Sequence, residues 1–178
     1  MTASLRPDTA GSLSAILAGS RGIPAKLNLV HEFTDKMLSD QTAQLGEIVC
    51  KAGCSYCCHF HIAVSRQEAD LLASVSGRQL TVPTTPASKF KGPKPCPFLK
   101  DNQCSVYEFR PTSCRAYNVL KAANGHPDCT QLSSPEEFGM AVLRSTAAPP
   151  VLQEALADLA RQAKQAPRLR DVRDWFPD

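Results

Sequence analysis

The sequence predicts a mainly α-helical single domain with one small β-hairpin, organised around a cysteine-ligated metal site. Three observations carry this. Apolar residues recur at three- and four-residue steps behind helix-start signals in several segments. Two short apolar runs flank Lys100-Asp101-Asn102-Gln103, which reads as a hairpin. All eight cysteines lie between Cys50 and Cys129 in a chain of 178 residues, long enough to bury a core without disulfides.

The elements follow in order. Residues 1–23 read as a flexible leader. Pro24 suits the first turn of a helix. Leu27, Val30, Met37, Leu38, Leu45, Ile48 and Val49 then define an amphipathic N-terminal helix over 24–49. Ser65-Arg66-Gln67-Glu68 is a capping box opening a second helix, with Ala69, Leu72 and Val75 on its inner face and Gly77 at its end. Residues 78–95 hold four prolines and four basic residues and read as a mobile basic loop. Arg110-Pro111 starts a short helix running to Tyr117. Ser134-Pro135-Glu136-Glu137 opens another, which Pro149-Pro150 should break. Leu152, Leu156, Leu159 and Ala163 mark a last amphipathic helix. The organisation expected is thus a leader, a helix over 24–49, a cysteine-cluster domain over 50–130, and C-terminal helices with a basic tail over 131–178. In that tail, Arg168, Arg170, Arg173 and Trp175-Phe176 suit either a partner or the protein's own core.

Charge and hydropathy narrow the function. A net charge of +3 does not mark a nucleic-acid binder. No apolar run approaches the roughly 18 residues needed to span a bilayer. The N-terminus has one Arg before a short apolar stretch and no long apolar region, so a secretory signal is not expected and the chain reads as cytoplasmic. In that compartment clustered thiols serve as metal ligands or redox centres rather than disulfides.

The first cluster is Cys50, Cys54, Cys57 and Cys58. On a helix these positions would share an arc of roughly 100°, and on a loop the Cys54-x2-Cys57 step can wrap a metal. A buried apolar stripe would use Leu, Val or Ala, and an adjacent cysteine pair is foreign to it. The second set is Cys96, Cys104, Cys114 and Cys129, the first two at either side of the hairpin. Four thiolates suit tetrahedral zinc or an iron–sulfur cluster alike, and soft Cu(I) is compatible. His59, His61 and His126 lie close enough in sequence to join the thiols. Arg110 and Arg115 flank Cys114 and suit the surroundings of an anionic cofactor, with an ion pair such as Arg110–Glu108 as the plain alternative. A thioredoxin-type reading of Cys54-x2-Cys57 needs a strand–helix unit that the pattern lacks. Phosphate-cradling and nucleophile-elbow motifs are missing as well.

The CxxxCxxCC run (Cys50, Cys54, Cys57, Cys58), CPFL at 96–99, CSVYEFRPTSCRAY at 104–117 and the closing PDC at Cys129 resemble the bacterial YkgJ-like cysteine-cluster family. Its members are described as zinc- or iron-chelating domains, and flagellin lysine N-methylases are assigned to it. Many members have two residues, not three, between the first two cysteines. The resemblance implies chelation of an iron–sulfur cluster or zinc through up to eight cysteines. It leaves two other readings open: a metal-dependent or S-adenosylmethionine-dependent protein-modifying enzyme, or a regulatory adaptor with a structural metal and a protein partner.

Overall fold

The structure is a computed structural model. It describes the chain except residues 1–12, 14, 16, 52, 85–91, 123–124, 142–144, 147–148 and 178. Helix α1 spans Ile23–Leu45 with Pro24 in its first turn. It ends four residues before the expected boundary, at Gly46, whose φ of 121° belongs to glycine and whose N–H donates to the Thr42 carbonyl. Beyond it the chain runs extended. Ile48 bridges Leu120 in antiparallel fashion, and Val49 N donates to the Val119 carbonyl at 3.0 Å. Ile48 and Val49 thus leave the helix, because a strand-like partner, Val119–Leu120, far along the chain takes up their backbone.

Strand β1 (Ala63–Val64) leads into α2 (Arg66–Ser76), which keeps the capping box in full. The Ser65 hydroxyl accepts from Glu68 N, and the Glu68 carboxylate accepts from Ser65 N at 2.9 Å. Gly77 closes the helix in the left-handed conformation. Ala69 and Leu72 are buried as expected, whereas Val75 is 39% exposed. The core contacts of α2 stop after its first two turns.

Strands β2 (Leu99–Lys100) and β3 (Gln103–Cys104) form the hairpin, with Leu99 opposite Cys104. Its turn residues Asp101 and Asn102 both have φ near +55°, at 51° and 58°, as a type I′ turn requires. Helix α3 covers Thr112–Ala116. Helix α4 covers Pro135–Met140, capped by Ser134. The proline pair at 149–150 does not terminate α4, which has already ended at Met140. Pro150 instead occupies the first turn of α5 (Pro150–Gln162), where its missing N–H costs nothing.

The C-terminal residues form β4 (Arg170–Asp171) and α6 (Val172–Trp175). β4 pairs antiparallel with β1 in a second small sheet that the sequence pattern does not announce, since each strand is two residues long.

Three apolar clusters hold the fold. α1, α3 and α5 bury Leu27, Val30, Ala116, Leu152 and Leu159 together. Leu13 and Leu17 join them at 1% and 3% exposure, so the later part of the expected flexible leader is anchored in the core. The earlier part, 1–12, lies outside the described residues. A second cluster gathers Ile62, Val64, Leu72, Phe98, Val172, Trp175 and Phe176, with Cys96, Cys104 and Cys114 against it. A third joins Val119, Cys129 and Phe138 to Cys50, Cys54 and Cys57. Trp175 and Phe176 therefore serve the protein's own core. Phe176 meets Phe98 edge-on at 4.9 Å, and the indole N–H of Trp175 donates to the Val64 carbonyl at 3.1 Å. Of the basic loop, 85–91 lies outside the described residues. Its ends are tied down, Thr81 N to the Trp175 carbonyl and Lys94 N to the His59 carbonyl. No helix among the described residues is long and apolar enough to cross a membrane.

Candidate metal centre

Each cysteine reaches the centre on a different local device. Cys50 sits on the extended segment after α1, and its Sγ accepts from Val119 N at 3.2 Å. Gly53, with φ of 87°, turns the chain so that Cys54 N donates back to the Lys51 carbonyl. Cys57 and Cys58 lie in a single 3-10 turn, Tyr56–His59. The first cluster is thus a loop and a tight turn rather than a helical stripe. Cys96 is fixed by its own N–H, which donates to the Cys58 carbonyl at 2.8 Å. Cys104 stands on the hairpin and Cys114 on α3, whose Ser113 hydroxyl donates to the Ala63 carbonyl at 2.7 Å. Cys129 opens a 3-10 turn (Cys129–Gln131) capped by Asp128. Tyr56 reaches across to the Leu132 carbonyl at 2.6 Å and holds that turn to the first cluster.

The result is convergence. Cys50, Cys54, Cys57, Cys58, Cys96, Cys104 and Cys114 all line one cavity of about 430 Å³. Cys129 is outside that lining, its thiol hydrogen-bonded to those of Cys50 and Cys54. A smaller cavity of about 350 Å³ shares Cys57, Cys58 and Cys114 and is otherwise walled by Phe60, His61, Ile62, Ser113, Tyr117 and Phe138. All eight cysteines are free thiols.

The electrostatics divide the eight. Hydrogen bonds from Cys129 and Cys50 lower the Cys54 thiol to about 3. A hydrogen bond from Cys58 lowers Cys57. The other six are raised. Cys58 is raised as donor to Cys57, and Cys129 as donor to Cys50 and Cys54. At Cys50 a hydrogen bond from Cys129 pulls downward, but the contact with Cys54 and burial outweigh it. Burial dominates at Cys104, at Cys114 and at Cys96, which is pushed up to about 11. Two thiols, Cys54 and Cys57, are thus lowered by hydrogen bonds from neighbouring thiols, while burial and hydrogen-bond donation raise most of the others.

The two arginines singled out beside Cys114 part company. Arg110 lines the large cavity and stacks on Tyr107 at 3.8 Å, and its charge adds a downward pull at Cys57 and, against the dominant burial, at Cys104. Its buried Nε has no hydrogen-bond partner among the described residues. Arg115 is spent elsewhere. It pairs with Asp35 at 2.5 Å and donates to the carbonyls of Arg110, at 2.8 Å, and Glu108. His59 has Nδ1 against the Ser55 carbonyl at 3.2 Å, and none of His59, His61 and His126 lines the large cavity. Sequence reasoning left open a residue that matters here. Arg173 donates to the Cys58 carbonyl at 2.9 Å from the far end of the chain. Only a basic tail was visible in its neighbourhood, with no spacing that tied it to a cysteine.

The donor set suits a thiophilic metal: sulfur ligands from both halves of the motif face one cavity, and an orphaned cationic N–H stands beside them. The side chains do not stand in a closed coordination shell, for among the described residues no three of His, Cys, Asp or Glu are arranged to hold an ion. Against known proteins, residues 49–136 match the family model CxxCxxCC, described as "Putative zinc- or iron-chelating domain". Neither a curated protein nor a solved structure matches the chain.

Proposed function

From the membership of residues 49–136 in the CxxCxxCC family, we propose that this protein binds zinc or iron through two thiol groups that share one cavity. Zinc- or iron-chelation is the description of the family itself. The observation that carries the finer reading is the lining of a single cavity by seven of the eight cysteines, with Cys129 joined to two of them. Cys50, Cys54 and Cys129 make one group, already in thiol-to-thiol contact. Cys96, Cys104 and Cys114, gathered against the apolar cluster of Phe98 and Trp175, make the other with Cys58, whose carbonyl accepts from Cys96 N. Cys57 lies between, touching Cys58 and sensing Cys54. Vicinal residues point in different directions along a tight turn, so the Cys57–Cys58 pair can serve both groups.

When bound, the metal supplies a cation that stabilises the thiolates. The chain's residues place the sulfurs, exclude water with Phe98, Ile62 and Val106, and offset negative charge with Arg110. An iron–sulfur cluster fits this donor chemistry better than a lone ion, since the cavity is far larger than one cation and Arg110, in its wall, has a buried Nε with no hydrogen-bond partner among the described residues.

Metal analysis and a visible spectrum on protein purified without oxygen test the reading. The expected result is iron or zinc in the fresh protein, with loss in two groups across the single Cys→Ser series. Uniform loss across all eight would favour one shared site. Protein that carries no iron, zinc or copper and takes none up would end the reading.

A further inference from the structure

The C-terminal helix lies outside the matched segment 49–136, yet its Arg173 reaches into the heart of it. The guanidinium donates to four backbone carbonyls: Cys58 at 2.9 Å, Phe60 at 3.1 Å, Pro95 at 3.2 Å, and Lys94. These carbonyls belong to two loops, the one ending the first cysteine cluster and the one entering Cys96. The same loops are joined directly by Cys96 N to the Cys58 carbonyl and Lys94 N to the His59 carbonyl, each at 2.8 Å.

Asp171 holds the arginine in place. Its carboxylate accepts from Arg173 Nη1 at 2.9 and 3.1 Å and from Ile62 N at 3.0 Å, and both side chains are nine-tenths or more buried. An arginine fork carries five N–H donors in one plane, and this one is spread over four carbonyls and a carboxylate. Lysine would keep the charge and lose that spread.

We infer that Arg173 is a positioning residue that locks the Cys58 loop against the Cys96 loop and so sets the spacing of two thiols in the second group. The consequence for metal binding rests on the function proposed above, while the clamp itself does not. The domain's cysteine constellation is therefore completed by a residue more than 40 positions after its last cysteine.

Thiol alkylation of the full-length, metal-free protein, mapped residue by residue, tests the clamp without any metal. Arg173→Ala and Arg173→Lys should speed modification of Cys58 and Cys96 by about tenfold or more and leave Cys50, Cys54 and Cys129 within about twofold of wild type. Leu159→Ala destabilises the separate apolar cluster of α1, α3 and α5 without touching either loop, so it should lower the melting temperature and leave the pattern of rates unchanged. Where Arg173→Ala does not fold, Arg173→Lys carries the comparison. Unchanged rates at Cys58 and Cys96, equal acceleration at all eight cysteines, or the same pattern from Leu159→Ala would each overturn the clamp. Metal content is then read separately. Metal-loaded wild type beside an Arg173→Lys variant that retains less extends the clamp to the site. A wild type that binds none refutes the chelation reading and leaves the alkylation result to decide the clamp.

Discussion

Glu68 is 1% exposed, and its carboxylate organises two elements at once. It accepts from Ser65 N and Oγ, each at 2.9 Å, and from Thr112 N at 2.6 Å. His31 Nε2 stands 3.7 Å away, too far for a hydrogen bond but close enough for charge to be felt. The Thr112 contact joins α2 to the N-terminus of the helix that carries Cys114. Burial raises the Glu68 pKa, and the charge and N–H groups of His31, Ser65 and Thr112 more than offset it, leaving it below the usual 4.5. A carboxyl depressed in the folded state contributes stability above its unfolded pKa, and that stability is lost as pH falls through the lower, folded value. Acid titration of the wild type should therefore show a loss below about pH 4.5 that Glu68→Gln lacks. The substitution should also cost about 2 kcal/mol at neutral pH, because an amide NH₂ would replace an oxygen that faces N–H donors. Urea unfolding at pH 7 and pH 4 measures both.

At the scale of the element, α2 is held at both ends by local chemistry. Ser65 and Glu68 exchange hydrogen bonds at the start, and Gly77 at φ 70° donates to the Ala73 carbonyl at the end. A Cβ at Gly77 would meet nothing within 4 Å, so Gly77→Ala isolates the backbone cost of a left-handed alanine. We expect a loss of about 1 kcal/mol, read as a shift in the urea midpoint at constant slope. The element-scale features were the most legible ones in the sequence. The capping box, the hairpin around Asp101-Asn102 and the short helix after Arg110-Pro111 stand where residue chemistry predicted them. Each depends on contacts within about four residues, which sequence order contains. The end of α1 was less legible, because Ile48 and Val49 satisfy a helical period and are claimed instead by Val119 and Leu120.

At the scale of the molecule, the thiols couple folding, metal and pH. Six of the eight are raised, so binding must release protons that these thiols hold near neutrality. Metal affinity should fall as pH is lowered, and competition against a chromophoric chelator between about pH 6 and 8 should show it. The cysteines also gather parts of the chain that lie far apart in sequence: the 3-10 turn of Cys57 and Cys58, the hairpin of Cys104, the helix of Cys114 and the turn of Cys129. Stripping the metal from the loaded protein with a strong chelator should lower the melting temperature by several degrees or more, given that structural zinc sites contribute on the order of 10 kcal/mol in small peptides. An unchanged melt would mean that the apolar clusters alone hold those segments.

Sequence alone determined that this is a cysteine-cluster chain with amphipathic helices, a capping box and one hairpin, since spacing, caps and turn residues act over neighbouring positions. It placed Arg110 and Arg115 equally close to Cys114. Only the tertiary structure decided between them, by turning Arg115 toward Asp35 and leaving Arg110 at the cavity wall. The structure likewise brought Cys129 to Cys50 and Cys54, seated Leu13 and Leu17 in the core, and sent Arg173 back to the carbonyls of Cys58 and Phe60. Those pairings span tens to more than a hundred residues. They depend on where the chain returns, and that is set by the sum of apolar burial over the whole molecule rather than by any local pattern.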